Sequence, residues 1–203
     1  MIEAKPSSAQ SNSTNDPILQ FLQKDYRCGL RLVQYIHKTL ASISKVIRGI
    51  ILPNTETIRV AEALLSHQTP NEWQNYWKGP ENPLKYLRTV ISKALTLQKM
   101  SQKTSSEFLA QEELDLSEFF QPKTFLKAVK QLTARKTKAP LDELEILCDW
   151  KHGLKNAKVS FRAKNLQLEG AGFDGMTFVH TTAESPSVMT APTITIGFVK
   201  KVC

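Results

Sequence analysis

The sequence predicts an α+β protein: an N-terminal bundle of long α-helices followed by a small, incomplete antiparallel β-barrel. Three observations lead there. Apolar residues recur every three or four positions from Leu19 to Ile47, a helical period sustained for about eight turns. After Glu145 the pattern turns to alternation with period two, rich in β-branched and aromatic residues. Between the two lies FFQPKTFLKAVKQLTARKTKAPLDEL, Phe119 to Leu144, a short helix with marked ends that joins the halves. The expected division is a polar, disordered segment over 1–15, a helical part over 16–140 and a truncated β-barrel part over 141–203.

The elements follow in order. Asp16-Pro17 supplies a capping side chain and a first-turn proline. The long helix then carries Leu19, Leu22, Tyr26, Leu30, Val33, Ile36, Leu40, Ile43 and Ile47 on one stripe and ends at Pro53. Gly29 lies inside it, at a cost of about 1 kcal/mol against Ala. Thr55 and Glu56 begin a second helix with Ile58, Ala61, Leu64 and Leu65, and Trp73, Tyr76 and Trp77 make a dense aromatic turn. Pro83 opens another long helix with Leu84, Leu87, Val90, Ile91, Ala94 and Leu95 expected to face inward. Residues 101–118 read as a frayed end (SQKTSSE) and an acidic connector (LAQEELDLSE).

The joining helix starts at Pro122, buries Phe125, Val129 and Leu132, and closes on Arg135, Lys136 and Lys138, where cations suit the negative end of the helix dipole. Pro140 stops it. Strands are expected at Glu145–Trp150, along Lys158–Glu169 with a phase slip near Asn165, at Met176–Val179 and at Thr193–Ile196. Four short antiparallel strands do not close a barrel. Thr193 to Val199, β-branched and nearly uncharged, are therefore expected beside an open, association-prone edge.

With 203 residues, a formal net charge of +8 and a pI near 9.4, the protein favours acidic partners; nucleic acid, an acidic protein face and anionic lipid all qualify. Cys28, Cys148 and Cys203 are an odd, widely spaced set, which points to reduced thiols in a cytosolic-type compartment. The opening MIEAKPSSAQSNSTND has no apolar core of a signal peptide.

Chemistry-bearing patterns are few. Gly170, Gly172 and Gly175 spell G-x-G-x-x-G after a strand, but a dinucleotide site needs a helix next, and MTFVHTT is β-prone. A turn between antiparallel strands is the better account. No G-x-x-x-x-G-K-[ST] occurs. His37, His67, His152 and His180 lack metal-ligand spacing, and Glu112, Glu113, Asp115 and Glu118 read as a solvated acidic face. No catalytic, cofactor-binding or metal-ligating residue is assigned. Two basic clusters remain, Lys123, Lys127 and Lys130 on the joining helix and Lys151, Lys155, Lys158, Arg162 and Lys164 after Trp150. Each is either a solvated face or a docking surface for an acidic partner.

The order of these landmarks resembles the C-terminal domain of dynein heavy chains. The matching pieces are IRGIILP, ETIRVAEALLSHQTPNEW, GPENPLKYLR, the Phe119–Leu144 stretch and LQLEGAGFDG, covering Asp16 to about Gly175. GPENPLKYLR and LQLEGAGFDG are closer to the second cytoplasmic dynein subfamily, that of retrograde intraflagellar transport, than to axonemal or first cytoplasmic types. The resemblance implies a helical layer against an AAA+ motor ring and a small β-barrel, in the cytoplasm, on the cytoskeleton and in the cilium. It also implies modulation of microtubule motility, with other dynein subunits as partners. No nucleotide would be bound here, ATP and magnesium belonging to the parent ring, and microtubules would be met only indirectly. Ring, stalk and tail are not in the sequence, and the family's last barrel strands are missing after Val199. The expectation is thus a fragment, truncated isoform or incomplete gene model without motor activity of its own. The competing class is a free-standing basic adaptor for nucleic acid or an acidic protein.

Overall fold

A computed structural model describes residues 15–110, 113–150, 154, 156–169, 171–173, 178–180, 188–190 and 192–201. The polypeptide forms two compact units, each assembled from separated stretches. One comprises Leu22–Gln102 with Glu118–Phe120; the other is built from the described residues of 15–21, 103–117 and 121–201.

The first of these units is helical. Helix α1, Pro17–Ile47, supplies most of its length to this unit and its first residues to the other. Asp16 Oδ1 accepts from the Ile18 N–H at 2.8 Å, the cap expected from Asp-Pro. The buried face of α1 differs in phase from the apolar stripe read in the sequence. Leu22, Leu32 and Ile36 are buried together with Asp25, Gly29 and Thr39, whereas Leu30, Leu40 and Ile47 are exposed. Counting apolar residues passes over polar and small ones that lie on the packed face, so the stripe is displaced by about one residue.

Helices α2 (Thr55–Leu65) and α4 (Pro83–Met100) are capped by Asn54 and Asn82, whose side chains accept from Thr57 N and Lys85 N. The face expected inside for α4 needs the same correction. Helix α2 buries Thr57 and Val60 and exposes Ile58 and Leu65. Helix α4 buries Pro83, Tyr86, Val90, Lys93, Leu97 and Met100, while Leu84, Ile91 and Leu95, expected inside, face outward.

The short helix α3, Asn71–Gln74, sets Trp73 into the core, fully buried, with its indole N–H donating to Thr39 Oγ1 at 3.1 Å. The Tyr86 hydroxyl stands 2.9 Å from the carbonyl oxygens of both Trp73 and Trp77. Burial pushes that phenol up to about 12. Of the aromatic turn, Trp73 is core, Trp77 is half-buried and Tyr76 is exposed.

The second unit packs helix α6, Pro122–Thr137, on a sheet. The expected stripe is in place, Phe125, Val129 and Leu132 being buried with Ala128 and Thr133. Phe125 is the hub, its ring centre 5.5 Å from Phe21, 5.9 Å from Phe108 and 5.0 Å from Phe161, the last two edge-on. Lys138, at φ 54°, ends the helix in the left-handed region, and a 3₁₀ turn at Leu141–Glu143 follows. SQKTSSE does not fray. It starts helix α5, Ser105–Leu109, where Thr104 and Glu107 form a reciprocal capping box.

The sheet has four strands: β1 (Leu114–Asp115), β2 (Leu144–Asp149), β3 (Ser160–Lys164) and β8 (Ile194–Lys200). It is mixed and open rather than an antiparallel barrel, in the order β1-β3-β8-β2. Strand β1 comes from the stretch read as a connector and runs parallel to β3, pairing Leu114 with Ala163. Strand β8 is antiparallel both to β3 and to β2. Residues placed by sequence reasoning beside the open edge therefore occupy an interior strand, and Ile194, Ile196 and Phe198 are buried.

Two ribbons complete the described β structure. They are β4 (Gln167–Glu169) with β7 (Val188–Thr190), and β5 (Ala171–Phe173) with β6 (Phe178–His180), both antiparallel. The phase slip has a local cause. Asn165 takes φ 56° and separates β3 from β4.

Candidate docking surfaces

The helical unit holds its core together around one peptide group. Lys93 Nζ donates to the Phe119 carbonyl at 2.9 Å, and Asp25 Oδ2 accepts from the Phe120 N–H at 2.9 Å. Both bonds are to the same amide, so its C=O and N–H are satisfied by a lysine and an aspartate in a buried site. Lys93 Nζ also lies 4.8 Å from the Trp77 ring centre, and Trp77 meets Phe120 edge-on at 5.6 Å. The packed face of α4, which holds Lys93, carries fewer leucines than its other one.

That choice leaves apolar surface outside. Between the end of α1 and α2 runs an open apolar groove of about 420 Å³, walled by Ile43, Val46, Ile47, Ile58, Ala61 and Leu65. Beside it, the loop after α1 exposes Ile50, Ile51 and Leu52; Gly49, at φ 69°, turns the backbone there. On α4 the exposed row is Leu84, Ile91 and Leu95. Patches of this kind mark contact faces for other macromolecules.

A smaller recess of about 190 Å³ is polar and includes Tyr35, Lys38, Ser42 and Glu56. There the Tyr35 hydroxyl donates to Glu56 Oε1 and its ring stacks 4.9 Å from Tyr76. Burial and the bond to Glu56 raise the Tyr35 phenol well above its ordinary range. This phenol stays protonated and bonded, an arrangement that fixes α1 to α2.

The residues singled out from the sequence are dispersed. His37 and His67 are exposed, and His180 is in β6; His152 lies outside the described residues. Among the described residues no group of three His, Cys, Asp or Glu side chains could hold a metal. Gly172 sits in β5 opposite Val179 of β6, while Gly170 and Gly175 lie outside the described residues. Cys28 is half-buried and its thiol is pushed up by burial and by Asp25; desolvation likewise raises the thiol of Cys148 in β2. Cys203 is outside the described residues.

The acidic connector is a correction. Glu113 Oε1 accepts from Thr193 Oγ1 at 3.0 Å and lies 3.6 Å from Arg162. Asp115 accepts from Ser117 N and Asn165 Nδ2, each at 2.8 Å. Glu113, Asp115 and Glu118 are half-buried, and the bonds of the first two tie the flank of β1 to its neighbours while leaving the carboxylates partly solvated. Glu112 is outside the described residues.

Of the basic residues, Lys123 and Lys127 are exposed, whereas Lys130 is half-buried with its Nζ 6.0 Å from the Phe198 ring centre. Lys158 and Arg162 are exposed and Lys164 half-buried; Lys151 and Lys155 lie outside the described residues. Among the described residues no helix is long and apolar enough to cross a membrane.

Comparison with known proteins identifies the class. The family model for the C-terminal domain of dynein heavy chains matches residues 1–202, and the protein belongs to this family. Among its relatives it is 40% identical to cytoplasmic dynein 2 heavy chain 1 of Tripneustes gratilla over 199 residues, 98% of this polypeptide and 5% of that one. It is 41% identical to the Homo sapiens cytoplasmic dynein 2 heavy chain 1 over 183 residues, 90% of this polypeptide and 4% of that one. The Caenorhabditis elegans counterpart is 30% identical over 183 residues, again 90% of this polypeptide and 4% of its own length. The 203 residues thus span about one-twentieth of the curated relatives they match.

Proposed function

We propose that this polypeptide serves as the C-terminal accessory domain of a dynein 2-type heavy chain. It docks on the AAA+ motor ring and modulates minus-end-directed movement along microtubules, with retrograde intraflagellar transport as the process and cytoplasm, cytoskeleton and cilium as its locations. ATP hydrolysis belongs to the ring, and microtubules are reached through the rest of the motor. The observation that carries this reading is the 40% identity to a dynein 2 heavy chain across 98% of the sequence. The apolar groove between α1 and α2, with the exposed Ile50, Ile51 and Leu52 beside it, supplies surface for docking.

The test is addition in trans. A dynein 2 motor fragment lacking its own C-terminal domain is mixed with this protein, and gel filtration and microtubule gliding are followed. Co-elution with a changed gliding velocity is expected. Separate elution and an unchanged velocity overturn the reading. Capture of nucleic acid with a steep log-linear salt dependence would favour the basic-adaptor alternative instead.

A further inference from the structure

Helix α4 has two apolar rows, and only one is used. Tyr86, Val90, Leu97 and Met100 hold it in the core of its unit. The other row, Leu84, Ile91 and Leu95, is 67%, 50% and 53% exposed, with Leu87 and Ala94 half-buried beside it. With Leu87 the spacing runs three, four and four, which keeps the row on one face of the helix rather than scattering it; Ala94 stands at the next heptad position. From Leu84 to Leu95 the row runs about 16 Å at 1.5 Å per residue, three turns of helix.

Charge says what fits. Within Pro83–Met100 the ionisable groups beyond Tyr86 are Lys85, Arg88, Lys93 and Lys99, with no Asp or Glu. Lys93 is taken up inside, whereas Lys85, Arg88 and Lys99 are exposed along the row. Among the described residues Lys85, Arg88 and Lys99 take part in none of the ion pairs seen, such as Arg59–Glu72 and Arg162–Glu113. The same helix therefore offers an apolar seam flanked by positive charge that no carboxylate among the described residues pairs with.

We infer that the outer face of α4 is a docking site for an amphipathic helix with an acidic polar face, its apolar residues seated along Leu84, Ile91 and Leu95 and its carboxylates against Lys85, Arg88 and Lys99. A single narrow row suits a helix–helix seam. A helix lying in a bilayer presents a broader apolar half. The inference goes beyond the ring docking proposed above, because it names one surface and one partner chemistry and holds for a partner in any polypeptide.

The experiment titrates the 203-residue protein into three probes at low salt. One is a fluorescent three-heptad peptide with leucine at the core positions and glutamate at the flanking ones. The second is its lysine counterpart, and the third is vesicles of phosphatidylcholine with phosphatidylserine. Saturable binding of the glutamate peptide is expected, with the lysine peptide at least tenfold weaker. Ile91→Asp lowers the affinity at least tenfold. Lys85→Glu combined with Arg88→Glu, two exposed changes that leave the core intact, inverts the preference between the peptides. Equal binding of both peptides, no saturable binding of the glutamate peptide, or binding unmoved by the charge reversal overturns the proposal. Vesicle binding that Ile91→Asp abolishes, without peptide binding, would assign the face to a membrane surface instead. Failure here leaves the trans-addition test of ring docking untouched, and failure there leaves this one standing.

Discussion

Gly29 and Phe120 occupy one space: a Cβ on Gly29 would stand 2.4 Å from Cε2 of Phe120. The glycine that weakens the middle of α1 by about 1 kcal/mol in local propensity is where the aromatic ring enters the helix face. The ring has little freedom to retreat, because the N–H of Phe120 is held by Asp25 and the preceding carbonyl by Lys93. Gly29→Ala should therefore destabilise the protein by about 1–3 kcal/mol, the opposite sign from helix propensity. Phe120→Leu in the same background should recover part of the loss. Urea unfolding of the four proteins in the cycle checks this, and a stabilised Gly29→Ala would show that the ring gives way.

The clamp on the Phe119–Phe120 amide gives a second prediction. Asp25→Ala leaves a buried N–H without its acceptor, and Lys93→Met leaves a buried carbonyl without its donor. Each should cost about 1–3 kcal/mol, with amide exchange at Phe120 accelerated most by the first. Midpoints equal to wild type would mean that water replaces both partners.

Phe125 touches Phe21, Phe108 and Phe161, so Phe125→Ala should cost about 3–5 kcal/mol. Lys127 is exposed on the opposite side of α6, and Lys127→Ala should stay within about 0.5 kcal/mol. Thermal denaturation separates the two. Similar losses would indicate that α6 is turned about its axis.

Asp115 gives a pH signature. Burial raises its carboxyl, but the hydrogen bonds from Ser117 and Asn165 outweigh that and hold it below its ordinary value. A depressed folded value means the bonds contribute fully above the unfolded pKa, about 3.9, and are lost as pH falls through the folded one. Acid unfolding of Asp115→Asn should be flatter than that of wild type below about pH 4, with no difference in slope near neutrality. Parallel acid limbs would mean that Asp115 contributes nothing to acid sensitivity.

Strand β8 carries the last prediction. Sequence patterning places Thr193–Val199 beside an open edge, and the exchange expected from it is fast from Lys158 onward. Pairing with β2 on one side and β3 on the other reverses that for β8. Hydrogen exchange should show Ile196 and Phe198 among the most protected amides of their unit, and Ile146 and Leu147 of β2, 52% and 43% exposed, less so. Rapid exchange throughout Ile194–Lys200 would restore the edge-strand picture.

Local signals are legible by themselves: the start of α1 at Asp16-Pro17 and of α4 at Pro83, the buried stripe of α6, and the break at Asn165. Each depends on residues within a turn of one another, so sequence order suffices. The family resemblance is legible too, since it rests on the order of several motifs. Which face of α1, α2 and α4 is buried cannot be read this way. Each helix has two apolar rows, and the packed ones include Asp25, Gly29, Thr39, Thr57 and Lys93; for all of these but Thr57 a group from another element satisfies or fills the site. The parallel pairing of β1 and the interior place of β8 have the same origin: hydrogen bonds between residues some fifty or eighty apart, Asp115 with Asn165 and Glu113 with Thr193. Local propensity determined where elements begin and end, while the exposed seam of α4 was decided by tertiary packing, because only the core determines which of two similar faces is left over.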